Sequence, residues 1–176
     1  ERPLFIGQSV ENSVRNVDPN NPAFSQLGCK MMLQRSFPEI GGSCQWSAFT
    51  LLADTAGYRE RLKREYHKYP ALPPVFTFID NQVRKLTALW VNGEYMLQWH
   101  EPKYKSEMDR AVQYVVYRFT SNEKIDLDDP LNIVSIVCDN FYRLPYKDGE
   151  TEYRYVVTAL DRLHNESAPM MSLVKL

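Results

Sequence analysis

Polar and aromatic side chains that could hold a sugar follow two short segments near the start of the chain. Gln8 comes directly after Leu4-Phe5-Ile6-Gly7, and Gln45-Trp46-Ser47 follows a segment with paired glycines. A Gln amide both donates and accepts hydrogen bonds to hydroxyl groups, and an indole face suits the C–H surface of a sugar ring. We predict that Gln8 and the Gln45-Trp46-Ser47 group contact a ligand. Trp46 has an equally weighted alternative, a cap over an apolar core.

Carboxylates that could act as a general acid and base are sparse in this part of the chain. Hydrolysis of a glycosidic bond requires two carboxyl groups about 5–9.5 Å apart. Glu11 follows Gln8 by three residues, and Asp54 stands at the far end of the loop after Trp46. Glu11 is a candidate ligand contact, although an ordinary loop acid is the favoured interpretation; for Asp54 a helix cap or surface acid is favoured. We assign no catalytic residue and expect no hydrolysis by this chain alone.

Residues that bind metals or form disulfides do not occur at useful spacings. Asp126-x-Asp128-Asp129 lacks the Gly and the distal Glu of a calcium loop, so it predicts a surface turn. The cysteines are too few and too far apart in sequence for a disulfide scaffold; they are Cys29, Cys44 and Cys138. The histidines do not occur at the spacing of metal ligands; they are His67, His100 and His164. Cys29 and Cys44 could approach each other, but reduced thiols are expected. We predict no metal and no cofactor.

Composition excludes several classes of protein. With 21 Lys and Arg against 22 Asp and Glu, the net charge of −1 argues against nucleic acid or an anionic membrane as the main partner. The 44% hydrophobic and 24% charged fractions are typical of a globular protein. No apolar run approaches the roughly 20 residues that span a bilayer. Because the chain begins at Glu1 without a signal peptide, we expect it to be part of a longer protein.

The first 70 residues predict alternating strands and helices. Pro3 to Gly7 reads as a strand buried on both faces of a parallel sheet, and Ile40 to Ser47 contains a second strand. Between them, the polar stretch 11–20 predicts a loop. Asn21-Pro22 then predicts a helix start, because Asn caps helices and Pro favours the first helical turn. The apolar positions expected on that helix are Phe24, Leu27 and Met31, and those expected on a second helix beginning near Thr55 are Tyr58, Leu62 and Tyr66.

The second half of the chain has a period of two. A proline-rich linker over residues 71–78 separates the halves, since three prolines between Pro70 and Pro74 cannot continue a helix. Residues 79–176 then predict an immunoglobulin-like sandwich of seven short strands separated by turn signals. The predicted strands are Val83–Leu89, Glu94–His100, Val112–Phe119, Ile133–Val137, Tyr142–Tyr146, Thr151–Leu160 and Met171–Leu176.

This half resembles fibronectin type III domains. Leu97-Gln98-Trp99 resembles their second strand, and Tyr114 to Arg118 resembles their third strand. Their sixth strand and the turn after it resemble Tyr153-x-x-x-Val157-x-Ala159 and Asn165-Glu166-Ser167 of this chain. The resemblance implies a tyrosine corner at Tyr153, whose hydroxyl would bond backbone, and explains the Asn165 sequon without a glycan. The expected core comprises Trp99, Tyr114, Tyr153, Val157 and Ala159, and Trp90 is also expected as a core or strand residue.

A longer combination resembles the C-terminal end of bacterial family-10-like glycoside hydrolases. Its parts are Tyr114 to Phe119, Tyr153 to Pro169 and the junction Tyr69 to Pro74. Those proteins carry a (β/α)8 barrel followed by such a sandwich, so the resemblance implies that residues 1–70 are the last two βα units. A closed barrel needs about 250 residues, and a catalytic pair would lie upstream. The resemblance also implies a carbohydrate substrate and an extracytoplasmic location, periplasmic or at the cell surface.

Two functions remain open on these grounds. The first is a C-terminal fragment of a carbohydrate-active enzyme, in which an incomplete α/β segment precedes an all-β sandwich. The alternative is a non-catalytic module that binds carbohydrate or protein. A segment with two parallel strands leaves unpaired edges, so we also expect it to pair with a second copy as a homodimer or to repack against the sandwich.

Overall fold

The computed structural model describes residues 4–18, 20–73 and 81–176, which form two compact units, Glu1–Lys68 and Tyr69–Leu176. Pro3, expected in the first strand, lies outside the described residues. So do residues 74–80, which include most of the predicted linker and the start of the predicted sandwich segment.

Unit 1 is built around two parallel strands, β1 and β4, joined through helix α2. A short antiparallel hairpin of β2 and β3 lies between them in sequence. Its elements are β1 (Leu4–Ser9), α1 (Val10–Arg15), β2 (Val17–Asp18), β3 (Asn21–Ser25), α2 (Leu27–Arg35), β4 (Ile40–Trp46), α3 (Ala48–Leu52), a 3-10 turn (Thr55–Gly57), α4 (Tyr58–Arg61) and a π-helical turn (Leu62–Tyr66).

The core of unit 1 lies under its helices. One buried cluster joins the first turns of α1 and α2 to α4 and the π-helical turn, and it consists of Val10, Leu27, Met31, Tyr58 and Leu62. The spacing of Leu27 and Met31 places both on one face of α2, and that of Tyr58 and Leu62 places both on one face of the later helix. The spacings Leu27–Met31 and Tyr58–Leu62 therefore identified packed faces, whereas Phe24, also expected on the first helix, lies in β3.

Local structure in unit 1 differs from the prediction at three places. Asn21 begins strand β3 and not a helix, because the Asp18 carboxylate accepts the Asn20 backbone N–H at 2.8 Å and forms a turn into a hairpin. Part of the expected polar loop is helix α1, which Ser9 caps by accepting the Asn12 N–H at 3.2 Å. An unpredicted helix, α3, directly follows β4.

The first strand is not buried on both faces as expected. Leu4 is 51% exposed and Phe5 is 45% exposed, because β1 pairs with β4 alone in a two-stranded sheet of the described residues. A (β/α)8 barrel segment is not evident from these elements, since the connecting helices are few and short.

Unit 2 is a β-sandwich. A three-stranded sheet has the order β5-β6-β9, and a four-stranded sheet has the order β11-β10-β7-β8, with antiparallel neighbours in both. The strands are β5 (Arg84–Val91), β6 (Glu94–His100), β7 (Gln113–Thr120), β8 (Ile133–Val137), β9 (Phe141–Arg143), β10 (Glu152–Leu160) and β11 (Met170–Lys175). These seven strands coincide with the seven predicted ones to within a few residues at each end.

The main core of unit 2 joins both sheets. Leu97 and Trp99 come from the three-stranded sheet, and Tyr114 and Val157 come from the four-stranded one. The Trp99 and Tyr114 rings meet edge to face at 5.3 Å between centroids. A second cluster on the other face of the four-stranded sheet includes Tyr117, and Leu72 of the linker packs against it.

Tyr153 occupies a different position from the one expected. Its side chain is partly buried at the margin of the main core, with the Arg118 Cζ atom 5.2 Å from its ring centroid. Tyr155, two residues later, is only 1% exposed and takes the fully buried position. Ala159 and Val157 are buried beside it, as alternate residues of β10 must be.

The turn after β10 uses the polar residues that form the sequon. The Asp161 carboxylate accepts the backbone N–H groups of Leu163 and Asn165, and the Asn165 Nδ2 donates to the Asp161 Oδ2 at 2.9 Å. Asn165 is 5% exposed. Its amide is therefore part of the turn structure.

Candidate functional site

The predicted ligand residues of unit 1 meet where β1 and β4 end. Gln8 is the register partner of Gln45, and Ser9 is the register partner of Trp46. Because the two strands are parallel, their carboxyl ends lie at the same edge of the sheet. The pairing therefore brings Gln8 and the Gln45-Trp46 group, which are predicted to contact a ligand, next to one another.

The pleat of the strands divides these residues between two faces. Side chains alternate along a strand, so Gln8 and Gln45 share one face while Ser9 and Trp46 share the other. The Gln45 Oε1 accepts the Tyr58 hydroxyl at 2.9 Å, and its Nε2 donates to the Ser43 Oγ at 2.9 Å. The two glutamines therefore face the helices, and both functions of the Gln45 amide are already used.

Trp46 lies on the open face. It is 56% exposed, and the peptide bond that joins it to Ser47 is cis. The Ser47 Oγ and the Thr50 Oγ1 share a hydrogen bond of 3.1 Å, and Phe49 in the same helix is 82% exposed. Trp46 and Ser47 are consequently the members of the predicted group that remain accessible to a ligand, and in the described residues Trp46 does not cap a core.

Both candidate carboxylates are held in local helix structure. Glu11 lies in the first turn of α1, and its Oε1 is 2.6 Å from the Arg15 Nη2, one turn along the helix. The Asp54 Oδ1 accepts the Arg59 and Glu60 backbone N–H groups at 2.7 and 3.3 Å. Asp54 thus caps helix α4, and Glu11 forms an exposed intrahelical ion pair. Neither arrangement presents a matched acid and base.

A small cavity of about 210 Å³ borders Gln8. Gln8 is 5% exposed, and its Oε1 has no partner among the described residues; nor does the Nε2 of Gln34, which lines the same cavity. The Lys30 ammonium, also in the wall, donates to the Ser13 Oγ at 2.8 Å. An unpaired buried amide is costly unless a water or hydroxyl satisfies it.

Two titratable groups of unit 1 have shifted pKa values. Burial raises the pKa of Tyr58 above 10.0, with a smaller opposing effect from a hydrogen bond to Ser13. Burial lowers the pKa of His67 below 6.5, and the positive charge of Arg35 lowers it further. Tyr58 therefore stays protonated and donates its hydroxyl hydrogen to the Gln45 Oε1.

Three aromatic rings in unit 2 form a group that the sequence analysis did not identify. We call Trp90, Tyr95 and Tyr146 the aromatic triad. Trp90 is a strand residue as expected, but it is 56% exposed and is not part of the core. The Asn92-Gly93 pair predicts a two-residue hairpin turn, which places Trp90 opposite Tyr95, so the sequence did contain a signal for this pair.

Metal ligands and disulfides are not found in the described parts of the chain. No group of three His, Cys, Asp or Glu residues could hold a metal ion there, and all three cysteines are free. No described helix has the length and apolar character needed to cross a membrane.

Comparison with known proteins gives one curated relative and several solved structures. No protein-family model matches the chain. It is 26% identical to glycosyl hydrolase YngK of Bacillus subtilis (strain 168) in a match that covers 93% of this chain and 32% of that protein. The chain therefore spans about a third of the length of the relative that it matches.

Two of the similar solved structures are a titin kinase structure and a fibronectin-III array. Titin kinase with its flanking domains has a TM-score of 0.40 and 18% identity, covering 56% of this chain and 18% of that one. The central fibronectin-III array of RIM-binding protein has a TM-score of 0.37 and 14% identity, covering 53% and 35%. The assignment of unit 2 as a β-sandwich rests on its own strand order.

Proposed function

We propose that the chain is the C-terminal part of a bacterial family-10-like glycoside hydrolase and does not hydrolyse substrate by itself. In this proposal, β1 and β4 are adjacent strands of a (β/α) barrel, and unit 2 is an accessory domain. The supporting observation is the in-register parallel pair, whose carboxyl ends carry an exposed Trp46. The match to a glycosyl hydrolase about three times as long supports the same conclusion.

The residues at the strand ends take distinct roles in this proposal. Trp46 provides the flat apolar face on which a sugar ring packs, and the Ser47 hydroxyl lies beside it. Gln8 and Gln45 are positioning residues, because their side chains lie on the helix-covered face of the strands. Glu11 has no catalytic role, since its carboxylate is paired with Arg15. The catalytic carboxylates belong to strands that precede this segment.

An extracytoplasmic location, periplasmic or at the cell surface, is part of the proposal. This location rests on the resemblance to the hydrolase family. A polymeric carbohydrate outside the cell is the substrate that agrees with such a location.

The test is a hydrolysis assay on the full gene product that contains these residues. We expect it to release reducing sugar from a polysaccharide, and we expect Trp46→Ala to raise KM or lower kcat without lowering the melting temperature. Leu173→Ala, at an exposed position of unit 2, is the matched control. A full gene product that hydrolyses no glycoside, or a Trp46→Ala variant with unchanged kinetics, would contradict the proposal.

A non-catalytic binding module is the second candidate function. The observation that favours it is the aromatic triad, which is exposed in a unit with a complete core of its own. A longer protein that binds polysaccharide without releasing sugar would favour this candidate.

A further inference from the structure

The aromatic triad is a fixed arrangement of three rings at one end of the sandwich core. The centroids of Trp90 and Tyr95 are 5.1 Å apart with the planes tilted by 31°. Tyr146 meets both rings edge-on, at 4.9 Å from Trp90 and 5.4 Å from Tyr95. Offset and edge-to-face contacts of this kind hold aromatic rings in place.

The backbone fixes each ring independently. Trp90 and Tyr95 are register partners on β5 and β6, two residues beyond the core-packed Ala88 and two before the buried Leu97. Tyr146 follows β9, where its N–H donates to the Leu144 carbonyl at 2.9 Å. Its hydroxyl lies against Gly149, whose positive φ of 78° favours glycine. The rings are therefore preorganised, so binding does not have to order them.

The triad remains open to solvent although it continues the row of core residues. Trp90 is 56% exposed and Tyr146 is 42% exposed. Asn92 and the pair Lys147-Asp148, which adjoin the triad in sequence, are also exposed. The triad therefore combines an apolar surface with neighbouring polar groups, namely an amide and charges of both signs. This combination suits a ligand that is apolar on its faces and carries hydroxyl groups at its rim.

We propose that the triad binds one pyranose unit of a neutral polysaccharide. The triad contributes only three side chains, whereas a stable protein interface needs about 800 Å² and 20–30 residues per partner, so its size favours a small ligand such as one sugar ring, whose C–H face packs on an indole. A neutral glycan also suits a border that carries both Lys147 and Asp148. The choice of a glycan rests on the proposed function; the position of the site rests on the triad itself.

The experiment titrates the full 176-residue chain with four probes, the hexasaccharides of cellulose, xylan, chitin and β-1,3-glucan. Binding is followed by calorimetry and by tryptophan fluorescence. Trp90→Ala and Tyr146→Ala are compared with Leu89→Ala, a neighbour in β5 whose side chain points to the opposite face of the sheet. Trp90→Phe keeps an aromatic ring in the fold.

We expect one hexasaccharide to bind and Trp90→Ala to weaken its binding about tenfold, the loss expected for one stacking contact. Trp90→Phe should retain part of the affinity while losing the fluorescence change, and Leu89→Ala should bind as the unchanged chain does. If none of the four probes binds, or if Trp90→Ala and Trp90→Phe leave affinity and fluorescence unchanged, the proposal is wrong.

The outcome is separable from the proposed function. If the full gene product hydrolyses nothing while the chain still binds a glycan through Trp90, the hydrolase proposal is wrong and the proposed glycan site is supported. If Trp90→Ala changes neither polysaccharide hydrolysis by the full gene product nor glycan binding by the chain, the proposed glycan site is wrong and the hydrolase proposal is supported.

Discussion

The Tyr58 hydroxyl donates to the Oε1 of Gln45 at 2.9 Å and thereby ties helix α4 to the carboxyl end of β4. Tyr58 is 2% exposed and belongs to the core of unit 1. The amide of Gln45, whose residue type suggested a sugar ligand, thus has an internal partner. Its role is to hold the strand end that carries Trp46.

Removing this hydroxyl should destabilise unit 1. Tyr58→Phe deletes the donor and leaves the Gln45 oxygen unsatisfied, so we expect a loss of about 1–2 kcal/mol in the free energy of unfolding, measured by urea denaturation. In a Gln45→Leu background the same change should cost less, because the acceptor is already absent. Tyr104→Phe, at an exposed residue of unit 2, is the control. Equal losses in both backgrounds would show that the two groups do not interact.

Trp99 should be the most costly tryptophan to remove. It is 3% exposed in the main core, so Trp99→Ala should lower the free energy of unfolding by about 3–5 kcal/mol in thermal or urea denaturation. Trp99→Phe should cost clearly less, because it keeps a ring against Tyr114 and removes an indole N–H that lacks a partner in the described residues. Trp90→Ala serves as the exposed control. An unchanged melting temperature for Trp99→Ala would mean that its indole does not pack in the core.

The sandwich was predictable because its signal is local. Alternation places Leu97 and Trp99 on one face, and the turn residues between strands are distinct, so strand limits follow from the sequence. In unit 1 the same residue types serve two structures: Asn21-Pro22 suits a helix start and also a hairpin. Which one forms depends on pairing between β2 and β3, which a local pattern does not contain. Asx and proline signals alone therefore misplaced the start of α2.

The candidate site was predictable in position but not in orientation. The carboxyl ends of β1 and β4 do meet, which follows from two parallel strands. Gln45 and Trp46 are adjacent in sequence, so the alternation of side chains along a strand places them on opposite faces of the sheet. The partner of Gln45 comes from Tyr58, 13 residues later, and only the packing of α4 brings it there. Tyr153, Tyr155 and Val157 share one face of β10, but Tyr153 lies near the start of the strand, at the margin of the core, and is therefore only partly buried.

Stability should decrease in alkaline solution between pH 10 and 12. Burial raises the pKa of Tyr114 to about 12, helped by the negative charge of Glu101, and burial raises that of Tyr155 to about 12 against the opposing charge of Arg118. An unfolded tyrosine ionises near pH 10. The folded state therefore holds these protons more tightly than the unfolded state does. Their contribution to the free energy of unfolding is complete below pH 10 and is lost as the pH rises towards 12.

Urea denaturation at increasing pH, together with tyrosinate absorbance, checks this. Tyr114→Phe and Tyr155→Phe should each reduce the pH dependence, because one titrating group is removed. Tyr104→Phe, at a 40% exposed residue, should not change it. Ionisation of all 11 tyrosines near pH 10 in a chain that stays folded would contradict the prediction.

The isolated chain should hydrolyse no aryl glycoside above background. Glu11 is paired with Arg15, and Asp54 caps α4, so neither strand end presents an acid and base at a suitable separation. A release assay with nitrophenyl glycosides measures this, and Glu11→Gln should behave as the unchanged chain does. Activity that survives purification and disappears in Glu11→Gln would overturn the assignment.

The chain should self-associate through unit 1. Strands β1 and β4 each pair on one side only among the described residues, and Leu4 and Phe5 on β1 are 51% and 45% exposed. An unpaired strand edge with apolar side chains favours pairing with another chain, and a symmetric dimer is the commonest closed result. Light scattering over a concentration series should therefore give a mass that rises towards twice the 20.6 kDa of the chain.

A charged residue at this edge should prevent that association. Phe5→Lys places an ammonium on the open face of β1, where pairing would have to desolvate it, so the mass should stay near that of one chain. Leu173→Lys makes the same change at a 58% exposed position in β11 of unit 2 and should leave the association intact. Loss of association in both variants would indicate a general effect of charge, and a monomer at every concentration would show that the edge of β1 does not recruit a second copy. Association that only Phe5→Lys abolishes would identify unit 1 as the segment that requires further strands, which is the condition expected of a barrel portion separated from its neighbours.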